Sequence, residues 1–332
     1  MKGFIRIAGT VVTLLAAVAA LPAQALDLRI AKQPGLTYLP TIIMEQNKLI
    51  EKHAAEMGIK DLNVTWRMFN SGASFNDSLI SGNIDMAVAG TTNLILLWSK
   101  THGAMKGYAG VGAIPLTLLT RNPNVKTIAD FTSEDRIAVP TVKLSSQAIV
   151  LQMAAEKAFG LAGRDRINAL TVSMGHPDGV IAMQNKNAQI TSHFTMSPYA
   201  EMELKQPGVH KLFTSNEILG GPMSIAIIFG SVKFHDENPK VVAALNAALD
   251  EALALIAKDK TAAAEVYIRA TKDKTPLPEM VAMLNGPDML YSKTPYGVMK
   301  TAAYFAHAGY IQQAPKDWKE LFFPETHNLN GD

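Results

Sequence analysis

Cysteine is absent from all 332 residues. A thiol nucleophile, a cysteine-held metal, a disulfide framework and a lipid-modified cysteine are thereby excluded. The chain needs no such staples, because about 300 residues bury a large core unaided. Long apolar runs are missing beyond the N-terminus, so no later segment has the length of a membrane span. An excess of one charge is missing as well: 31 Lys and Arg face 29 Asp and Glu. Two of those basic residues, Lys2 and Arg6, lie in the first 25 residues with no acid, and 31 less two leaves 29 of each sign from residue 26 onward. A formally neutral body argues against nucleic-acid binding and against general attraction to anionic membranes. Catalytic signatures are absent too: there is no H-E-x-x-H, no G-x-x-x-x-G-K-[ST], no G-x-S-x-G and no G-x-G-x-x-G. Gly107, Gly110 and Gly112 run in the reverse order for the last of these. The eight histidines are scattered without a close metal-like pair, so neither metal nor cofactor is expected.

What is present begins with an export signal. Lys2 and Arg6 form a basic start, residues 7–21 are uncharged and apolar, and Ala23-Gln24-Ala25 is an A-x-A cleavage site. This pattern predicts a secretory signal peptide over residues 1–25, cut after Ala25. Residues 7–25 are just long enough for a membrane anchor, but Pro22 and the A-x-A box favour cleavage.

The remaining chain alternates short β-like runs with helical ones, which is the pattern of an α/β fold. Strands are expected at 28–31, 64–69, 84–88, 105–111, 115–119, 137–139, 169–173, 190–194, 211–214 and 224–229. Helical runs are expected at 39–56, 75–81, 94–100, 147–159, 178–186 and 199–206. From Pro239 the pattern becomes purely helical, with Asn238 as the expected N-cap and Pro239 at the first position. Val241, Leu245, Leu249, Leu253 and Ile256 then recur at helical spacing. Trp318, Leu321, Phe322 and Phe323 are expected to dock near the end. Two runs of strands and a helical tail suit two lobes crossed twice by the chain, near 118–122 and 219–223. Lobe one is expected over 26–118 plus 224–332, and lobe two over 119–223. Gly220-Gly221-Pro222 is a hinge or an ordinary turn.

The segment 125–161 carries the most information. It reads VKTIADFTSEDRIAVPTVKLSSQAIVLQMAAEKAFGL: a short helix, the buried strand Ile137-Ala138-Val139, a turn, and a long helix opening at Ser145-Ser146 and ending at Gly160. A strand feeding a helix through small hydroxyl residues presents backbone N–H groups to a ligand. The stretch resembles the segment "slaDlkGkkIavp…s…L…aL…GL" of solute-binding proteins that serve ABC importers, in the branch for sulfonate, nitrate, taurine and thiamine-pyrimidine precursors. That resemblance implies a two-lobed periplasmic-binding-protein fold, type II like, with the C-terminal tail packed on lobe one.

In open α/β sheets a ligand sits outside the carboxyl ends of the strands, against helix N-termini, and five loops meet that condition. In the first, Lys32 to Pro40, Tyr38 and Gln33 are the expected contacts, although Tyr38 also suits plain packing on the helix start. In the second, Ser71 either caps a helix or touches ligand. The third follows Gly82-Asn83-Ile84-Asp85, a recurrent feature of the resembling family. Gly90, Thr91 and Thr92 are its expected contacts, and Asp85 is structural. The fourth supplies Lys143, Ser145 and Ser146, with Lys143 alternatively only solvated. The fifth supplies His193 and Thr195, the histidine either facing the cleft or holding structure; Met174 and His176 are weaker choices. No arginine stands in any of the five, so a neutral, partly aromatic solute fits Tyr38, Phe194 and Tyr199 about as well as an anion does.

The resemblance implies a monomeric periplasmic protein that captures a small organic solute and delivers it to a membrane permease with a cytoplasmic ATPase, without catalysis. One alternative is an enzyme on the same fold, like the pyrimidine-precursor synthases. Those carry a cysteine-rich motif that this chain lacks. Another is a periplasmic sensing subunit that reports to a kinase.

Overall fold

In the computed structural model, residues 26–69 and 72–332 are described; the expected signal peptide and Ser71 lie outside them. Among the described residues the strands are β1 (Leu26–Lys32), β2 (Leu62–Met68), β3 (Met86–Ala89), β4 (Met105–Ala113), β5 (Thr117–Thr120), β6 (Ile137–Val139), β7 (Thr171–Ser173), β8 (Ser192–Thr195), β9 (His210–Thr214), β10 (Ala226–Ser231) and β11 (Leu290–Tyr291). They form two mixed sheets, ordered β11-β4-β10-β3-β1-β2 and β7-β6-β8-β5-β9. In the first, β1 runs parallel to β2 and β3, while β10 is antiparallel to β3 and β4. In the second, β6 runs parallel to β7 and β8, and β5 is antiparallel to β8 and β9. The α/β class follows from this layering.

Strands with helices on both faces have no solvent side to serve, and so read as unbroken apolar runs. Met86-Ala87-Val88-Ala89 and Ile137-Ala138-Val139 are buried throughout. Alternate residues of β10 face opposite cores: Ile228 packs with Leu28, Ile30 and the tail, and Ile227 and Phe229 pack with Leu94, Leu97 and Phe322. The tail helix Pro239–Lys258 buries Val241, Leu245, Ala248, Leu249, Ala252 and Ile256. These join Ile42, Ile43 and Ile50 on the first sheet, so the tail belongs to that lobe. The end of the chain closes the other face: the Phe323 N–H donates to the Gly107 carbonyl at 2.9 Å. A Cβ on Gly107 would lie 2.6 Å from Phe322 Cδ1, so this contact requires glycine.

Three local expectations are corrected. The run 39–56 is two helices, Leu39–Gln46 and Leu49–Glu56, separated by Lys48 in the left-handed region at φ 49°. The break turns Leu49 and Ile50 back into the core. Asn238 does not cap the tail helix through its side chain; its amide donates to the Phe234 carbonyl at 3.0 Å and closes the preceding helix, Val232–Glu237. The tail helix needs less capping at its start, since Pro239 in its first turn has no N–H to satisfy. Leu118 and Leu119 lie inside β5 and pair with β8 and β9, so the chain leaves the first sheet over 114–116, earlier than 118–122. It returns over 220–225. The two passages are tied side by side, with the Ile225 N–H donating to the Gly112 carbonyl at 3.0 Å. No helix among the described residues is long and apolar enough to cross a membrane.

Candidate functional site

The loops after β1 and β3 face the loops after β6 and β8 across the junction of the two sheets. Gln33, Tyr38, Gly90 and Asn93 line one wall of a slit, and Pro140, Ser145, Ser146, Gln147 and Met196 line the other. The slit is narrow, with a volume of about 20 Å³. Its walls touch: a Cβ on Gly90 would lie 2.5 Å from Ser146 Oγ, and Thr92 Oγ1 lies 3.5 Å from the same hydroxyl. The Leu36 N–H donates to the Ser197 carbonyl across the junction at 3.0 Å. Gly35 sits beside it at φ 137°, a backbone that L side chains rarely adopt.

The helix Ser146–Phe159 opens in this slit. Ser145 is its N-cap, and its hydroxyl accepts from the Ala148 N–H at 3.2 Å. A helix start carries unsatisfied N–H groups and the positive end of the macrodipole, so it favours an acceptor-rich ligand.

Gln33 also borders a larger cavity of about 530 Å³. Lys32, Trp66 and Arg67 line it from the first lobe, Pro177 and Tyr199 from the second, and Tyr267 and Asp273 from the tail. Lys32 is buried there, paired with Glu45, with its ammonium 4.7 Å from the centre of the Trp66 ring. Burial lowers its pKa, and the Glu45 carboxylate pulls it back up. A cavity of about 690 Å³ lies wholly in the second lobe, around Arg121, Met183 and Gln206, and does not span the junction.

The sequence-chosen residues fall into three groups. Gln33, Tyr38, Gly90, Ser145 and Ser146 meet at the slit, and Thr92 lines the adjoining crevice with Asn76 and Thr141. The Tyr38 hydroxyl donates to Gln33 Oε1 at 3.1 Å, and burial pushes its pKa well up. Thr91 and Lys143 do not line the slit. The Thr91 hydroxyl donates to the Ser224 carbonyl in the returning passage. Lys143 is exposed, left-handed at φ 66°, and its carbonyl accepts from Gln152 Nε2 at 3.1 Å. Ser71 lies outside the described residues. His193 and Thr195 form the third group, buried behind the slit. Asp85 holds Arg29 in a two-pronged pair at 2.7 and 3.0 Å, the structural role expected of it.

Behind Gln147 runs a chain of buried polar groups that the sequence only half disclosed. The Gln147 carboxamide nitrogen lies 3.1 Å from His176 Nε2. His176 Nδ1 lies 3.0 Å from His193 Nε2, and His193 Nδ1 lies 2.6 Å from Glu203 Oε1. Thr195 Oγ1 lies 3.4 Å from His176 Nδ1, and the Tyr199 ring stacks on His176. Burial raises the Glu203 pKa to about 9 and lowers that of His193 to about 3. Burial and the neighbouring ring likewise lower His176. Burial thus favours a neutral hydrogen bond over an ion pair in the short His193–Glu203 contact. Gln147, Glu203, Lys32, Trp66, Arg67, Tyr267 and Asp273 were not among the sequence choices. A charged Lys32 ending an apolar strand was one available signal. Nothing local marks Tyr267, which the tail brings back to the junction.

Two sheets joined by two adjacent passages, with a ligand-sized space at the junction, define the periplasmic-binding-protein class of fold. Solved structures agree. The chain is similar to the periplasmic aliphatic sulphonate-binding protein of Escherichia coli, with 19% identity, 90% of this chain and 92% of that one covered, and a TM-score of 0.62. It is similar to the periplasmic nitrate-binding protein of Synechocystis PCC 6803, with 16% identity, 89% and 84% covered, and a TM-score of 0.66. It is also similar to a Candida albicans protein described as having the generic periplasmic binding protein fold, with 14% identity, 92% and 99% covered, and a TM-score of 0.68. At these identities the likeness establishes the fold. Comparison with curated proteins gives no match. The signature of the NMT1-like family matches residues 22–270, and the chain belongs to that family.

Proposed function

We propose that the protein is the periplasmic substrate-binding component of an ABC importer. It captures a small organic solute, sulfonate-, taurine- or nitrate-like or else pyrimidine-precursor-like, between its two lobes. The observation that carries this reading is the junction itself, where the slit and the larger cavity are each lined from both sheets. Gln33, Tyr38, Gly90, Thr92, Ser145 and Ser146 are the proposed contacts. The start of the helix Ser146–Phe159 supplies donors in place of an arginine. The similar sulphonate- and nitrate-binding proteins support the solute class. On this reading residues 1–25 are removed on export, the lobes part and close about 114–116 and 220–225, and the loaded monomer docks on a membrane permease with a cytoplasmic ATPase. No reaction is catalysed.

The test is a thermal-shift screen of the exported protein with sulfonates, nitrate, carboxylates and pyrimidines, preceded by native mass spectrometry for a co-purified solute. A solute at one hundred times its Kd stabilises the fold by about 2.7 kcal/mol. A single saturable hit is the expected result. Turnover of any compound, or a hit that survives loss of the slit residues, overturns the reading.

A further inference from the structure

The chain from Gln147 to Glu203 has a property that ordinary core polar pairs lack: it transmits direction. Gln147 and His176 are each 4% exposed, and His193 and Glu203 are 0% exposed, so the chain lies away from bulk solvent. A neutral imidazole carries one proton on two nitrogens, so the ring that accepts at one nitrogen donates at the other. Two rings in series pass the polarity of Glu203 to Gln147 unchanged. If Glu203 accepts from His193, His176 Nε2 must accept from the amide nitrogen of Gln147. If Glu203 donates, His176 Nε2 carries the proton and must meet the amide oxygen.

The surroundings of Glu203 decide between these. Among the described residues Oε2 of Glu203 has no partner, and the one group bonded to the carboxyl is the His193 ring. A buried carboxylate with a single hydrogen bond and no cation is costly, so the neutral acid is the stable form. Its proton belongs on Oε1, since on Oε2 it would be a buried donor without an acceptor. Glu203 then donates to His193 Nδ1, His193 Nε2 donates to His176 Nδ1, and His176 Nε2 donates to Gln147. With its nitrogen against the ring the amide is the wrong way round for this sequence of donors. A half-turn of the carboxamide exchanges oxygen and nitrogen without changing shape. A half-turn of either ring would instead put carbon at the 3.0 Å contact between them, and that of His193 also at the 2.6 Å contact, so the rings keep their orientation. A Cβ on Gly179 would lie 2.6 Å from His193 Nε2, so the neighbouring helix, His176–Gln184, is packed directly onto that ring.

We propose that His176, His193 and Glu203 are positioning residues that fix the carboxamide of Gln147, turning its NH2 group into the slit as the donor that selects an acceptor oxygen on the solute. That oxygen belongs to a sulfonate or to a ring carbonyl; the two share the chemistry that Gln147 reads. The presence of a solute in the slit rests on the reading above, whereas the orientation of the relay does not.

Two measurements test this. Long-range 1H–15N correlation spectra of the exported, 15N-labelled protein at neutral pH read the tautomer of each ring. Nε2–H at both His176 and His193 is expected, unchanged in Glu203→Gln, whose amide still donates, and released at His193 in Glu203→Leu. An Nδ1–H tautomer or an imidazolium at either ring in the unsubstituted protein overturns the proposal. Calorimetry with ethanesulfonate and with uracil then separates the two sources of the oxygen. For whichever probe binds, Gln147→Glu places an acceptor where a donor stood and should weaken binding about tenfold or more. Unchanged affinity overturns the assignment of Gln147. If neither probe binds while both rings are Nε2–H, the relay stands and the solute-binding reading falls for both of these classes.

Discussion

Gly179 shows how much of the site depends on a side chain that is absent. Its Cα approaches the His193 ring so closely that any Cβ would overlap it. Gly179→Ala should therefore push the ring aside and cost about 1–3 kcal/mol of unfolding free energy in a denaturant titration. The same neighbourhood fixes a pH dependence. Glu203 rises from 4.5 to about 9 on folding, so between those values the folded protein keeps a proton that the unfolded chain has lost. Stability contributed here falls as pH rises through that window. His193 drops from 6.5 to about 3, so its contribution falls as pH is lowered through 6.5 toward about 3. Glu203→Gln removes the alkaline arm, and its stability relative to the unsubstituted protein should be greater at about pH 8 than at about pH 5. Equal differences at both would contradict a neutral buried carboxyl. At this scale the sequence disclosed little. His193 stood out because histidine at a strand end is chemically conspicuous, whereas Glu203 and Gln147 look like ordinary residues of amphipathic helices.

Elements were far more legible. Ten of the strands occur where apolar runs between turn residues placed them, most plainly β3 and β6, since a strand covered on both faces has few ways to be written. β11, two residues long, carries no pattern to read; it exists only because Leu290 and Tyr291 pair with Ala113 and Gly112. The break at Lys48 escaped for a related reason, since a single left-handed residue leaves the apolar spacing on either side intact. The helix Ser146–Phe159 begins and ends where its Ser145 cap and Gly160 stop predict. Ser145→Ala removes the hydroxyl that accepts from Ala148 and should cost about 1 kcal/mol, measured by chemical denaturation. Phe322 is a larger anchor, fully buried against Gly107 and Trp318. Phe322→Ala should cost about 3–5 kcal/mol and loosen the end of the chain before the sheets melt.

For the whole molecule, the alternation of strands and helices announced two lobes, and the family resemblance implied a C-terminal tail packed on the first of them. Which residues meet at the junction was not announced, because Gln33 meets Ser146 and Tyr199 only through the passage at 114–116, and Tyr267 joins them only through the return at 220–225. One consequence of that assembly lies in the close approach of Gly90 and Ser146. A Cβ built on Gly90 would lie 3.7 Å from the Cβ of Ser146, near the mean of about 3.8 Å for two half-cystines. Gly90 has φ −67°, which any residue adopts. The chain has no cysteine of its own to mispair. Gly90→Cys with Ser146→Cys should therefore close on oxidation into a single bond across the mouth. Exchange of solute should stop while that bond lasts and resume on adding a thiol, followed by the off-rate of a labelled ligand. The molecule already carries the geometry of a latch, one that a redox couple can open and shut.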